Sequence, residues 1–155
     1  MSVLRLLLFL VLNFAALGIG GILIGNPGTN EWYQALDKAP WTPPGWVFGA
    51  AWTTIMVTFS IFMWKASGTG SFSEMKAFYL LFGVQWLLNV IWNPIFFRWH
   101  LMGLGMIVIV ALTLLVGWFT WWGFRKTGGC GTLMLPYLVW LLIATSLNGY
   151  AWLKN

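Results

Sequence analysis

Apolar residues run almost unbroken through five stretches of the chain, at 4–24, 44–64, 78–97, 102–124 and 133–152, and polar residues gather between them. Each stretch is close to the ~20 residues that an α-helix needs to cross a hydrocarbon core of ~30 Å at 1.5 Å per residue. The pattern predicts an all-α integral membrane protein, a five-transmembrane-helix bundle forming one domain over 1–155. The first link, "GNPGTNEWYQALDKAPWTP", is the longest. The others, "KASGTGSFSEMK", "RWH" and "RKTGGCGT", are short and predict antiparallel neighbours. A signal-peptide reading of the first stretch is set aside, because its apolar run is long enough to span. There is no internal repeat of the kind that marks doubled transporters.

Within the stretches, polar residues fall at helical spacing. Gln85, Asn89 and Asn93 stand at i, i+4 and i+8, a stripe that must face the bundle or a cavity, because an amide in lipid needs partners. Tyr137, Trp140, Ala144 and Asn148 share a face of the last segment. The second segment opens with "WTPPGWVFGAAW". Pro43 is biased away from helix by the proline after it, and Pro44 is expected as the first helical residue. Gly45, Gly49 and Trp52 then share a face, leaving either a close-packing GxxxG contact or a notch with an aromatic floor. Counting residues puts Trp52 and Asn89 at a similar depth, about 12 Å below the end that carries the long link, with Trp140 some 18 Å below. These groups converge on an apolar, aromatic chamber with a few amides, the kind of site a flat hydrophobic ligand requires.

Composition sharpens the class. Only 7% of residues are charged, against 60% hydrophobic, so the chain cannot present a wet surface all round. The net charge of +5 does not point to nucleic acid, because its basic residues are scattered between apolar runs. Arg5, Lys65, Lys76, Arg125 and Lys126 fall on the N-terminal side, against Lys38, Arg98 and Lys154 on the other. The positive-inside rule then puts the N-terminus inside and the long link outside. Of 13 tryptophans, Trp64, Trp99, Trp118, Trp121, Trp122 and Trp152 lie near segment ends, as interfacial anchors do. Trp52, Trp92 and Trp140 lie inside. Hydrolytic and metal chemistry find no support: Glu31, Asp37 and Glu74 are in links, His100 reads as interfacial, and Cys130 is a lone loop thiol. No metal and no cofactor is expected.

The strings "WYQALDKAPWTPPGWVFGAAWTT", "LNVIWNPIFF" and "LPYLVWLLIATSLN" together resemble the tryptophan-rich sensory protein family. Its eukaryotic relatives are the mitochondrial translocator proteins, once called peripheral-type benzodiazepine receptors. The resemblance implies a five-helix, frequently dimeric protein of the lipid bilayer that binds porphyrins such as protoporphyrin IX, cholesterol in some members, and isoquinoline or benzodiazepine drugs. Carried over, the ligand site comprises Trp32, Tyr33, Pro43, Trp52, Asn89, Trp92, Trp140 and Ala144, with Gly49 added from the notch. Light-driven porphyrin degradation, reported for some bacterial members, falls to the tryptophans matching Trp52 and Trp140. Excited porphyrin oxidising a nearby indole needs no acid–base pair, so this is the rival, enzymatic reading. Leu147, Tyr150 and Lys154 fit a weak sterol pattern, although vertebrate members commonly carry Arg at the last position and an aromatic where Gly149 stands. Threonine in "WTPP" points to a bacterial type and a bacterial cell membrane.

Overall fold

The computed structural model describes residues 2–155. The elements are α1 (Val3–Ile24), a short α2 (Glu31–Ala35), α3 (Gly45–Ala66), α4 (Lys76–Phe97), α5 (Met102–Lys126), a 3₁₀ turn (Cys130–Met134) and α6 (Leu135–Lys154). The chain is an all-helical integral membrane protein, with five helices long and apolar enough to cross a bilayer. Their outward faces carry residues such as Leu4, Ile22, Leu80, Leu114 and Leu142, which lipid solvates as readily as a core would.

Each helix end follows from local chemistry. Pro44, expected to open its helix from within, is instead its cap: it has extended dihedrals (φ −62°, ψ 152°), and its carbonyl accepts the first bond, from Val47 N–H at 3.0 Å. That is how a cap residue behaves, and Gly45 becomes the first helical position. Asn30 caps α2 by accepting from Tyr33 N–H at 3.0 Å. Before α4, Glu74 folds back to accept from the Ser71 N–H and hydroxyl, both at 2.8 Å. Those two bonds hold its carboxyl below the usual range. Pro94 lacks the N–H that would reach Val90. The Asn93 amide takes over that carbonyl at 3.4 Å and the Asn89 carbonyl at 3.0 Å, and the helix runs on to Phe97. The corner into α5 puts His100 at φ 58°, a left-handed conformation that histidine tolerates better than most side chains. Gly129, at φ 96°, makes the corresponding turn before α6.

The helices close into a ring. α1 packs between α3 and α4, α4 packs on α5, α5 on α6, and α6 returns to α3. One expectation is corrected here: α3 and α4, although joined by a short link, are not side by side. The link at 67–75 carries the chain past α1, and the two helices meet through long rings, Phe59 to Phe82 at 5.8 Å and Phe62 to Phe78 at 6.3 Å. These rings begin a solid core that fills the half of the bundle away from the long first link. Phe59, Phe62, Phe119 and Tyr137 are completely buried, with edge-to-face contacts among them, a favoured aromatic geometry. Buried polar groups there bind across helices: Gln85 Nε2 donates to Tyr137 Oη at 2.7 Å, Asn13 Nδ2 to Ser60 Oγ at 2.9 Å and Trp86 Nε1 to the Leu12 carbonyl at 2.8 Å.

Candidate functional site

Above that core the bundle is hollow. A cavity of 630 Å³, within the roughly 300–1,000 Å³ typical of small-molecule sites, lies under the first link. Trp52 and Trp140 form its floor. Trp52 leans edge-on to Tyr137 at 6.0 Å. Trp140, 6% exposed, meets Phe48 edge-on at 5.2 Å. α4 supplies Asn89, Trp92, Asn93 and Phe97, and α6 supplies Ala144 above Trp140. The roof comes from Tyr33, Gln34, Lys38, Thr42 and Pro43. A side lobe continues beneath the roof toward Leu36, Leu147 and Asn148.

The walls are held by contacts between the helices that border the cavity and its side lobe. Trp92 stacks on Phe96 at 5.3 Å, and its Nε1 donates to Asn148 Oδ1 at 3.2 Å, while Asn148 Nδ2 donates to the Met102 carbonyl at 3.0 Å. One amide thus ties α4, α5 and α6 behind the chamber. The roof is pinned at its ends: Asn30 Nδ2 to the Phe97 carbonyl at 3.4 Å, Asp37 N–H to Asn155 Oδ1 at 2.9 Å, and Trp41 Nε1 to Ser146 Oγ at 3.1 Å. Tyr33 lies against Phe97 at 5.1 Å, and burial there pushes its phenol above the ordinary value.

The predicted amide stripe divides. Gln85 Nε2 donates to Tyr137 while its Oε1 is buried without a partner among the described residues, and Asn93 turns back onto its own helix. Asn89, 7% exposed, lines the cavity, and its side-chain amide has no hydrogen-bond partner among the described residues. The indole N–H groups of Trp52 and Trp140 have none either.

Of the residues expected at the site, Tyr33, Pro43, Trp52, Asn89, Trp92, Trp140 and Ala144 line the cavity. Trp32 and Gly49 do not. Trp32 stacks flat on His100, with centroids 4.0 Å apart, and meets Phe96 edge-on, fastening the roof to the α4–α5 corner. Gly49 is exposed, and a Cβ built on it meets nothing within 4 Å, so it is neither notch nor close contact within the chain. Gly45, Phe48 and Trp52 present the face instead. Of the sterol pattern, Leu147 borders the side lobe. Tyr150 lies edge-on to Trp41 at 5.5 Å, with Lys154 Nζ 5.9 Å from its ring centroid. α1 contributes Ala16, Leu17, Gly21 and Ile24, none of them foreseen. The available signal was the cluster of small residues Ala16, Gly20 and Gly21, which let α4 approach: a Cβ on Gly20 would lie 2.7 Å from Asn93 Nδ2.

Comparison with known proteins adds the lineage. A "Protein CrtK" of Rhodobacter capsulatus is 34% identical over 139 residues, covering 85% of this chain and 82% of that one. A "Tryptophan-rich sensory protein" of Cereibacter sphaeroides is 34% identical over 119 residues, covering 77% and 73%. The human "Translocator protein" is also 34% identical, over 134 residues, covering 81% and 75%. Residues 8–153 match the TspO/MBR family, and the chain belongs to that family of integral membrane proteins.

Proposed function

We propose that the chain is a single membrane domain whose chamber receives flat, largely apolar ligands of the tetrapyrrole class, protoporphyrin IX foremost, in order to sense or carry them. The observation that carries this reading is Asn89. The sealed, unpartnered polar atom of the stripe is Gln85 Oε1; the Asn89 amide instead opens onto the cavity, where a bound molecule or water can supply the bonds that an amide needs within a span. Asn89 lines an indole-floored cavity, beside two further N–H groups without partners. A ligand with an apolar body and a few acceptor atoms suits that arrangement. The names of its relatives, a sensory protein and a translocator, agree with a receptor or carrier. The same reading includes a homodimer in the bilayer, the N-terminus inside and the roof outside. It also includes drug-like isoquinoline or benzodiazepine ligands and, along the pattern Leu147, Tyr150 and Lys154, sterols.

The test is a titration of the purified protein in detergent with protoporphyrin IX, followed by tryptophan emission. Saturable quenching at micromolar concentration or below, displaced by an isoquinoline ligand, is the expected result. Ala144→Leu projects added methyl groups into the chamber and is expected to weaken binding at least tenfold in a protein that still folds. Linear quenching without competition, or an unchanged affinity in the variant, removes the chamber as the site.

A second reading has its own observation: both Trp52 and Trp140 border the chamber, so a bound, illuminated porphyrin would touch oxidisable indoles. On this reading the protein degrades the porphyrin in light and oxygen.

A further inference from the structure

Among the described residues, no aspartate or glutamate lines the chamber, and one cation does. Lys38 borders both the main cavity and the side lobe, so it stands between the two beneath the roof. Its ammonium donates to the Gln34 carbonyl at 3.2 Å and lies 4.8 Å from the centroid of the Tyr33 ring. An ammonium carries three N–H donors, and that single bond leaves two. Its acidic neighbour in sequence, Asp37, is exposed and is not among the lining residues.

Lys38 is half-buried and the bond its ammonium makes to Gln34 is exposed, so the cation stands at the wet edge of the apolar cavity, partly screened by water. Its hydrogen bonds to an ionised acceptor are about twice as strong as neutral ones. We propose that Lys38 is a specificity-determining residue, which makes the chamber prefer ligands that carry a carboxylate over neutral ligands of the same shape. The inference rests on the chamber reading given above. The apolar body of the ligand lies on Trp52 and Trp140, Asn89 meets a polar atom at depth, and the carboxylate is left at the roof beside Lys38. Tyr33 stays protonated there and offers a second donor. The bland alternative is that Lys38 only clips the roof to Gln34 and Tyr33, in which case it supports every ligand equally.

Protoporphyrin IX and its dimethyl ester share a body and differ in charge, so the pair isolates the effect. Both are titrated against wild type, Lys38→Met and Lys38→Arg in the same detergent. Wild type is expected to bind the acid about fivefold more tightly than the ester, the upper end for an ion pair that water partly screens. Lys38→Met is expected to bring the acid down to the ester's affinity without moving the ester, and Lys38→Arg to keep the preference. Equal or weaker binding of the acid by wild type overturns the proposal. So does an acid-to-ester ratio that survives Lys38→Met, or a parallel loss of both ligands, which is the mark of a roof clip. In those cases competition by the isoquinoline leaves the chamber reading standing. If wild type binds neither porphyrin saturably, the chamber reading itself falls, and the role of Lys38 falls with it.

Discussion

Asn148 ties three helices beside the chamber, and its contribution can be isolated. It is 2% exposed and joins three helices by accepting from Trp92 Nε1 at 3.2 Å and donating to the Met102 carbonyl at 3.0 Å. In Asn148→Ala the Met102 carbonyl keeps the role of a helical acceptor, so its loss is small. The Trp92 N–H is left buried without a partner. Such a group costs about 1–3 kcal/mol in soluble proteins, and interhelical bonds in membranes average nearer ~0.6 kcal/mol with a maximum of ~1.7. We therefore expect a coupling of about 1 kcal/mol between Asn148 and Trp92. Trp92→Phe removes the N–H while keeping a ring against Phe96. The single and double variants, unfolded thermally in one detergent, complete a cycle in which the void left by the smaller side chain appears on both sides and cancels. Additivity within ~0.3–0.5 kcal/mol, the behaviour of independent sites, would refute the claim that this amide holds the indole in place.

Two further outcomes follow from close contacts and from the floor. Gly20→Ala drives a methyl group to 2.7 Å from Asn93 Nδ2 and should destabilise by about 1–3 kcal/mol. Gly49→Ala, with open space around it, should stay within ~0.5 kcal/mol; equal effects in thermal unfolding would contradict the packing at Gly20. Replacing both Trp52 and Trp140 with phenylalanine keeps the apolar floor and removes two N–H donors, so it should weaken porphyrin binding by no more than about 0.5–1.5 kcal/mol per lost bond while abolishing any light- and oxygen-dependent loss of the Soret band beyond that of free porphyrin. Identical bleaching in the two proteins would make the indoles walls and nothing more.

The helices were legible because a bilayer admits few alternatives: twenty apolar residues with satisfied backbone bonds must be a helix. Their neighbours were less so, since the link at 67–75 looks like a hairpin and yet leads past α1. The chamber was legible where a polar or indole residue interrupts an apolar run, as at Trp52, Asn89 and Trp140. Ala16, Leu17 and Gly21 carry no such mark, because a residue facing a cavity and one facing lipid have the same chemistry. Gly49 shows the limit of face counting. Four residues advance a helix by 400°, so Gly49 sits about 40° from Gly45. Phe48 and Trp52 fall on the opposite side of that line, and the wall turns toward them. Trp32 was assigned by resemblance, which conveys a residue type and not its direction; the left-handed corner at His100, which gives the indole its stacking partner, has no signature in periodicity.

The division of the bundle into a solid half and a hollow half is itself an argument about binding. An apolar cavity in a helix bundle tends to close, because every wall gains dispersion contacts by moving inward. Here the inward route is obstructed from below and from behind. Of the two floor indoles, Trp52 leans on the fully buried Tyr137, itself fixed by Gln85, and Trp140 on Phe48. Trp92 is held in place by Asn148 at the side lobe. The roof is suspended from four places around its length, through Asn30, Trp32, Asp37 and Trp41, and among the described residues no polar contact pulls Asn89 across the gap. The polar and aromatic ties are thus spent on keeping walls apart rather than on drawing helices together. A protein that needed only to pack five helices in lipid would gain nothing from that arrangement, whereas one that must present a preformed site does, because a wall already in place need not be ordered again when a ligand arrives.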